Sequence, residues 1–175
     1  MNHIRIADTT LCPQDSAYSF KEKLEIARQL ENLHVDIIEL PAVSGGKTDT
    51  LLVRTIGTFA KESILSVAAG LTKDSIAAAA AALSTAAKPR IRIELPLSAV
   101  GMEYTAHKKP AAMLDTVAAL VEKCAALSDT EFIAEDATRA DSAFLADVIN
   151  IAIEKGAKTV TVCDTAGASL PDEFA

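Results

Sequence analysis

The segment Glu131-Phe132-Ile133-Ala134-Glu135 is followed by a helical pattern over Asp141–Lys155 and then by Thr159-Val160-Thr161-Val162-Cys163-Asp164. The two outer runs are short and rich in β-branched or other apolar residues, as buried strands are. A strand, a helix and a second strand in that order predict a βαβ unit, whose two strands lie parallel. The rest of the chain can be compared with this strand–helix–strand pattern.

The same alternation extends back to the start of the chain at intervals of roughly 30 residues. The other predicted strands are His3–Asp8, Val35–Leu40, Ile64–Ala69 and Arg90–Pro96, and the other predicted helices are Ser19–Leu33, Thr48–Glu62, Lys73–Ala87 and Pro110–Leu127. No linker or shift of composition divides the sequence, which predicts one domain over residues 1–175. The fold class is therefore α/β, with a parallel sheet of six strands.

Helix-capping residues support these boundaries. Ser19 followed by Glu22 is a capping box, and Asp141 can cap the helix that ends at Lys155-Gly156. Pro171-Asp172-Glu173 is typical of a first helical turn, with proline at the first position and acids near the positive end of the helix dipole.

The composition narrows the class of function. The chain has 175 residues with a net charge of −7 and only 4% aromatic residues, and its basic residues do not cluster. Nucleic-acid binding, which needs a basic surface and stacking side chains, is therefore not expected. No signal peptide and no apolar run of about 18 residues is present, so we expect no membrane association. The odd, widely spaced Cys12, Cys124 and Cys163 argue against a disulfide framework and favour a cytoplasmic location.

Several motifs resemble those of one enzyme family, in the right order and over nearly the whole chain. They are Ile6-Ala7-Asp8-Thr9-Thr10-Leu11, Val35-Asp36-Ile37-Ile38-Glu39, Ser98-Ala99-Val100-Gly101-Met102-Glu103-Tyr104, Glu135-Asp136-Ala137-Thr138-Arg139-Ala140-Asp141 and Asp164-Thr165-Ala166-Gly167. The chain resembles the 2-isopropylmalate and homocitrate synthase family, which belongs to the HMGL-like proteins of the DRE-TIM metallolyase superfamily. The resemblance implies the first six units of a TIM (β/α)8-type barrel.

The resemblance also implies a reaction. Members condense an acyl-CoA with a 2-oxo acid, and a divalent metal and an arginine polarise the keto group while charge builds on its oxygen. By resemblance the substrates are a 2-oxo acid and an acyl-CoA, and the candidate catalytic residues are Glu135, Thr165 and Glu39. The candidate substrate-binding residues are Asp8, Ser98, Asp164 and Cys12. Strand-end carboxylates and hydroxyls also cap loops, so a structural role competes for each. Arg139 is interpreted as the ion-pair partner of a neighbouring acid.

The sequence departs from the family at the metal site. Cys12 and Pro13 stand where the family has an arginine and an acidic ligand, and Gly101 stands where it has a histidine. The family's remaining ligands, a His-x-His pair on the seventh strand, would lie beyond Ala175. The sequence therefore predicts no recognisable metal ligand, and the cofactor stays undetermined.

Six units are fewer than the eight of a closed barrel of about 250 residues. Open strand edges favour association. We therefore expect a fragment, a homo-oligomer, or a complementing chain that supplies two more units. Three functional hypotheses stay open: a synthase, a metal-free scaffold or small-molecule binding module, and a lyase or aldolase on the same fold.

Overall fold

The strands follow one another in space as they do in sequence. The computed structural model describes residues 4–13, 18–43 and 47–174. Its strands are β1 (Ala7–Asp8), β2 (Ile37–Leu40), β3 (Ile64–Ala68), β4 (Pro89–Pro96), β5 (Asp129–Glu135) and β6 (Thr159–Val162). They form a six-stranded sheet in the order β1-β2-β3-β4-β5-β6, and the pairs β1–β2, β2–β3 and β5–β6 are parallel. This is the order of the first six units of a TIM (β/α)8-type barrel, so the predicted fold class is confirmed.

Helices separate the strands. They are α1 (Phe20–Asn32), α2 (Lys47–Phe59), α3 (Lys73–Ala82), α4 (Ala99–Tyr104), α5 (Pro110–Ala125), α6 (Ser142–Glu154) and α7 (Pro171–Phe174). Short 3-10 turns follow α3 at Leu83–Thr85 and β5 at Ala137–Arg139. Along the parts of the chain that the structure describes, no helix is long and apolar enough to span a lipid bilayer.

The capping predictions are confirmed. Ser19 and Glu22 form both hydrogen bonds of the capping box at α1, and the Asp141 carboxylate accepts a hydrogen bond from the N–H of Phe144 at α6. After α6, Gly156 has a φ of +106°, the backbone conformation that ends helices and that glycine adopts without strain. These local signals are strong because each satisfies backbone groups that a helix end leaves unpaired.

Most boundaries lie within a few residues of prediction, and the two clearest differences are in β1 and α3. The strand predicted at His3–Asp8 is only Ala7–Asp8 among the described residues, and His3 lies outside them. At the edge of the sheet order, the N–H of Ile6 donates to the Asp36 carboxylate at 2.8 Å instead of to a strand. The helix predicted to reach Ala87 ends at Ala82, because its last turn tightens into a 3-10 turn.

The contacts of the chain group into two compact units, residues 1–91 and 92–175, which divide within β4. In the first unit, Ile38, Leu40 and Val67 lie on one face of β2 and β3, and Ser66 lies on the other. All four are wholly inaccessible to solvent. Helix α2 contributes Ile56, which is equally buried. Strands enclosed on both faces explain the continuous aliphatic runs in the sequence. The prediction of a single domain stays a prediction.

In the second unit, the portion of β4 from Arg92 to Pro96 has two chemically different faces. Ile93 and Leu95 on one face are wholly buried, whereas Arg92 and Glu94 alternate with them on the other. Helix α5 buries Val117, Val121 and Cys124 within this unit. The polar face of β4 therefore lies opposite its aliphatic face. The candidate site residues lie at the ends of the strands.

Candidate active site at the strand ends

At the ends of β1 and β2, the predicted site residues of the first unit form local contacts. The Asp8 carboxylate accepts a hydrogen bond from the N–H of Thr10 at 2.9 Å, which closes the turn after β1. The Cys12 thiol points to the Glu39 carboxylate, with 3.7 Å between Sγ and Oε2. In the register of the sheet, Glu39 is paired with Ser66, which is wholly buried. The structure therefore brings Cys12 and Glu39 together.

Among the described residues, the two positions that replace the family's arginine and acidic ligand do not fit a hard divalent cation. Pro13 has no side-chain ligand, and the soft Cys12 sulfur faces the Glu39 carboxylate. Within residues 4–13, 18–43 and 47–174, no three His, Cys, Asp or Glu side chains gather in a way that could hold a metal ion. We therefore derive no catalytic step that passes through a metal.

In the second unit, the backbone fixes the ends of β4, β5 and β6. The carbonyl of Glu135, the last residue of β5, accepts a hydrogen bond from the N–H of Leu97 at 2.9 Å. Asp136 then adopts a left-handed conformation with a φ of +54°. This turn lets the N–H of Ala137 donate to the carbonyl of Cys163 at 3.0 Å. Unusual backbone at a strand end is characteristic of functional sites.

Asp136 is the centre of a hydrogen-bond network. The residue is only 6% exposed. Its carboxylate accepts two hydrogen bonds from the Arg139 guanidinium at 2.7 and 2.6 Å, and its N–H donates to Oγ1 of Thr165 at 2.8 Å. The hydrogen bonds from Arg139, aided by one from Ser98, hold the pKa of Asp136 below its usual range despite burial. Asp136 thus stays ionised, and the prediction that Arg139 pairs with a neighbouring acid is confirmed.

Glu135 has the opposite electrostatic environment. Its side chain is half-buried, and burial, together with the nearby carboxylates Glu94 and Asp136, raises its pKa. A carboxyl group that keeps its proton to higher pH is suited to general acid–base chemistry. Of the seven site residues predicted from sequence, Glu135 is the one whose surroundings favour proton transfer most directly.

Ser98 and Gly101 shape the loop beside this carboxyl. Ser98 is 2% exposed and caps α4, because its hydroxyl accepts a hydrogen bond from the N–H of Gly101 at 3.0 Å. A Cβ added at Gly101 would lie 2.7 Å from Cβ of Pro96, a distance that real contacts do not show. The position at which the family has histidine therefore has no room for a side chain unless the loop moves.

The last two predicted residues follow β6. The Asp164 carboxylate accepts hydrogen bonds from the Thr138 hydroxyl and from the N–H of Ser169, both at 2.8 Å, and these hydrogen bonds lower its pKa. The exposed Thr165 hydroxyl accepts the N–H of Asp136. Asp164 therefore stabilises the loop, whereas Thr165 links the ends of β5 and β6.

The structure thus groups Ser98, Glu135, Asp164 and Thr165 in the second unit, and Asp8, Cys12 and Glu39 in the first. Sequence reasoning missed Asp136 as the centre of the network and Glu94 as a neighbour of Glu135. The signal for Glu94 was present in Arg90-Ile91-Arg92-Ile93-Glu94-Leu95, where charged and apolar residues alternate with the period of a strand.

Comparison with known proteins agrees with these features. The model of the HMGL-like family matches residues 3–175. The 2-isopropylmalate synthase of Oceanobacillus iheyensis is 37% identical over 99% of this chain and 35% of its own length. That of Xanthomonas oryzae pv. oryzae is 35% identical over 98% of this chain and 34% of its own length. That of Pyrococcus abyssi is 34% identical over 99% of this chain and 37% of its own length. The chain spans about a third of the length of these curated relatives. It belongs to the HMGL-like family.

Proposed function

We propose that the chain acts in the condensation of an acyl-CoA with a 2-oxo acid, with Glu135 as its acid–base group. The observation that carries this proposal is the environment of Glu135, a half-buried carboxyl at the end of β5 whose pKa is raised. Membership of the HMGL-like family and similarity to 2-isopropylmalate synthases support the substrate class. In barrels of this type, chemistry takes place at the carboxyl ends of the strands.

The reaction requires protons to move at defined atoms. The acyl α-carbon gives up a proton to a solvent base and forms a bond to the keto carbon of the 2-oxo acid, so the keto oxygen becomes an alkoxide. Water then cleaves the thioester, which gives a carboxylate, free CoA thiol and a proton. We assign to Glu135 the delivery of a proton to the former keto oxygen, because a raised pKa extends the pH range over which this carboxyl holds a proton.

The neighbouring polar groups have supporting roles in this proposal. The Thr165 hydroxyl accepts the N–H of Asp136 and keeps its own O–H to donate to a substrate oxygen. Ser98 orients the loop through the cap of α4. Glu39, Asp8, Cys12 and Asp164 stay predicted site residues, and their contacts in the structure are the local ones described above.

A cleft of about 550 Å³ in the second unit is a candidate position for the acyl-CoA. It is lined by apolar side chains such as Met102 and Pro110 together with the cations Lys108 and Lys109. An apolar wall beside two ammonium groups suits a ligand with a thioester arm and phosphates. Replacing both lysines with alanine should raise the KM for acyl-CoA and leave the KM for the 2-oxo acid unchanged.

The direct test is release of thiol from acetyl-CoA in the presence of a panel of 2-oxo acids. The proposal predicts thiol release that depends on one or more of these acids and exceeds the release from acetyl-CoA alone. Mg²⁺, Mn²⁺ and Zn²⁺ are added in separate reactions, and the metal content of the purified chain is determined by elemental analysis. No release above the background with any acid or metal would contradict the proposal.

A second candidate function is a small-molecule binding module without turnover. The observation in its favour is the donor set at the end of β1, where Cys12 and Pro13 do not fit the metal of the family. Calorimetry with the same 2-oxo acids separates the two candidates. Binding without thiol release supports the module, whereas binding with release supports the synthase.

A further inference from the structure

The face of β4 that carries Glu94 contains a buried ion pair. Arg92 is 2% exposed, and its Nε donates to Oε1 of Glu94 at 3.1 Å. The Glu94 side chain is 35% exposed, so the carboxylate is more accessible to solvent than the guanidinium that binds it. A buried guanidinium restricts the carboxylate to one position more tightly than a solvated pair would.

The register of the sheet places Glu94 and Glu135 on the same face of neighbouring strands. In a parallel ladder, the hydrogen bond from the N–H of Leu97 to the carbonyl of Glu135 makes Pro96 the neighbour of Glu135. Glu94 precedes Pro96 by two residues and therefore shares its face. Two residues along one strand and one strand spacing across correspond to about 8 Å between Cβ atoms. The long glutamate side chains bring their carboxyl groups within effective Coulomb range.

We propose that Glu94, fixed by Arg92, is a positioning residue whose negative charge disfavours ionisation of Glu135. The inference rests on the proposed function, since it explains how the acid–base group keeps its proton. Arg92 balances the charge of Glu94 only in part at Glu135, because Arg92 precedes Glu94 by two residues on β4 and so lies farther from Glu135. The raised pKa of Glu135, which follows from burial and then from Glu94 and Asp136, agrees with this geometry.

The other charged and titratable groups near Glu135 have partners of their own. Glu131 on the same strand accepts the Thr161 hydroxyl at 2.6 Å. Asp136 is paired with Arg139. Beyond β6, Asp164 accepts hydrogen bonds from its own loop, and the Cys163 carbonyl accepts the N–H of Ala137. Asp136, the next residue in the chain, also raises the pKa of Glu135, whereas Glu94 is the acid of the neighbouring strand β4.

The test is a titration of the side-chain carboxyl of Glu135, followed by NMR in protein labelled with 13C at glutamate. Glu94→Gln removes the charge and keeps an oxygen that can accept the Arg92 hydrogen bond, and Glu94→Leu removes it without a polar group. Both variants should lower the pKa of Glu135 by up to about one pH unit. Glu94→Asp keeps the charge, so the pKa should stay close to the value in the unaltered chain.

Glu103→Gln is the matched control, because it removes one exposed acid of α4 in the same unit. The inference is overturned if the pKa of Glu135 is the same in the unaltered chain and in both neutral Glu94 variants. It is also overturned if Glu103→Gln shifts this pKa as much as the Glu94 variants do. The titration needs no turnover, so its outcome is separate from that of the thiol-release assay. Where thiol release is measured, the pH–rate profile of Glu94→Gln should move in the same direction.

Discussion

Two half-buried glutamates, one in each unit, have pKa values that depart from the ordinary value of 4.5 in opposite directions. In the first unit, the Glu31 carboxylate accepts hydrogen bonds from three successive N–H groups, those of Lys61 and Glu62 at 2.7 Å and that of Ser63 at 3.2 Å. Burial opposes ionisation of Glu31, but these hydrogen bonds outweigh it and lower the pKa. In the second unit, burial and the nearby carboxylates of Glu94 and Asp136 raise the pKa of Glu135.

The contrast corresponds to two ends of the strands. Glu31 binds the backbone just before β3 begins, whereas Glu135 is the last residue of β5. In (β/α)8-type folds the amino ends of the strands contribute to stability and the carboxyl ends to chemistry. Glutamate therefore stabilises the fold where backbone donors surround it, whereas in the proposed function it transfers a proton where like charges surround it.

The largest effect should come from removing the carboxyl with the raised pKa. Glu135→Gln keeps the size of the side chain but cannot transfer a proton, so the rate of thiol release should fall by about 10²–10⁴-fold. Glu31→Gln, the same substitution in the first unit, should leave that rate within about twofold. Steady-state assays of the two variants, with CD spectra to confirm folding, make the comparison. Equal losses in both would mean that Glu135 has no special role.

A smaller effect should appear in the free energy of unfolding when the first-unit glutamate is substituted. Glu31→Gln replaces a charged acceptor of three backbone hydrogen bonds with a neutral one, which should lower the free energy of unfolding by about 1–3 kcal/mol. Urea unfolding of the variant beside the unaltered chain and Glu103→Gln measures this loss. An unchanged midpoint for Glu31→Gln would show that the three hydrogen bonds do not stabilise the start of β3.

The smallest effect is the pH dependence of stability, whose sign differs between the two residues. Because the pKa of Glu31 is lowered on folding, its stabilisation is present above about pH 4.5 and is lost as the pH falls through the folded-state value. Because the pKa of Glu135 is raised, its ionisation costs stability above the folded-state value, and that cost disappears as the pH falls toward 4.5.

Glu135→Gln should therefore be slightly more stable than the unaltered chain at neutral pH, with no difference below about pH 4.5. Urea midpoints at pH 4, 5, 6 and 7 would reveal this trend. A variant that is less stable at pH 7 would indicate that the Glu135 carboxylate is held by favourable contacts instead.

Much of the fold could be predicted from the sequence, because its signals are local. Alternating strands and helices, the cap at Ser19 and the proline that begins α7 each depend on residues within a few positions of one another. Helix α4 was missed because six residues that include Gly101 carry no helical period. The length of β1 was also mispredicted, since pairing at a sheet edge depends on neighbours distant in sequence.

The site could be predicted only in part. Resemblance to the family made Glu135 and Thr165 candidates, but the left-handed turn at Asp136 has no signature that distinguishes it from an ordinary aspartate. The environment of Glu135 depends on Glu94, 41 positions earlier in the sequence, and on the register that places the two side chains on one face. Such long-range electrostatics arise only when strands are aligned.

The most direct test is a 13C NMR titration of the glutamate carboxyl groups in the unaltered chain, with Glu31 and Glu135 assigned by single substitution. The structure predicts that Glu135 titrates above pH 4.5 and Glu31 below it. Titration of Glu135 at or below the midpoint of Glu31 would contradict the assignment of stability to one carboxylate and of proton transfer to the other.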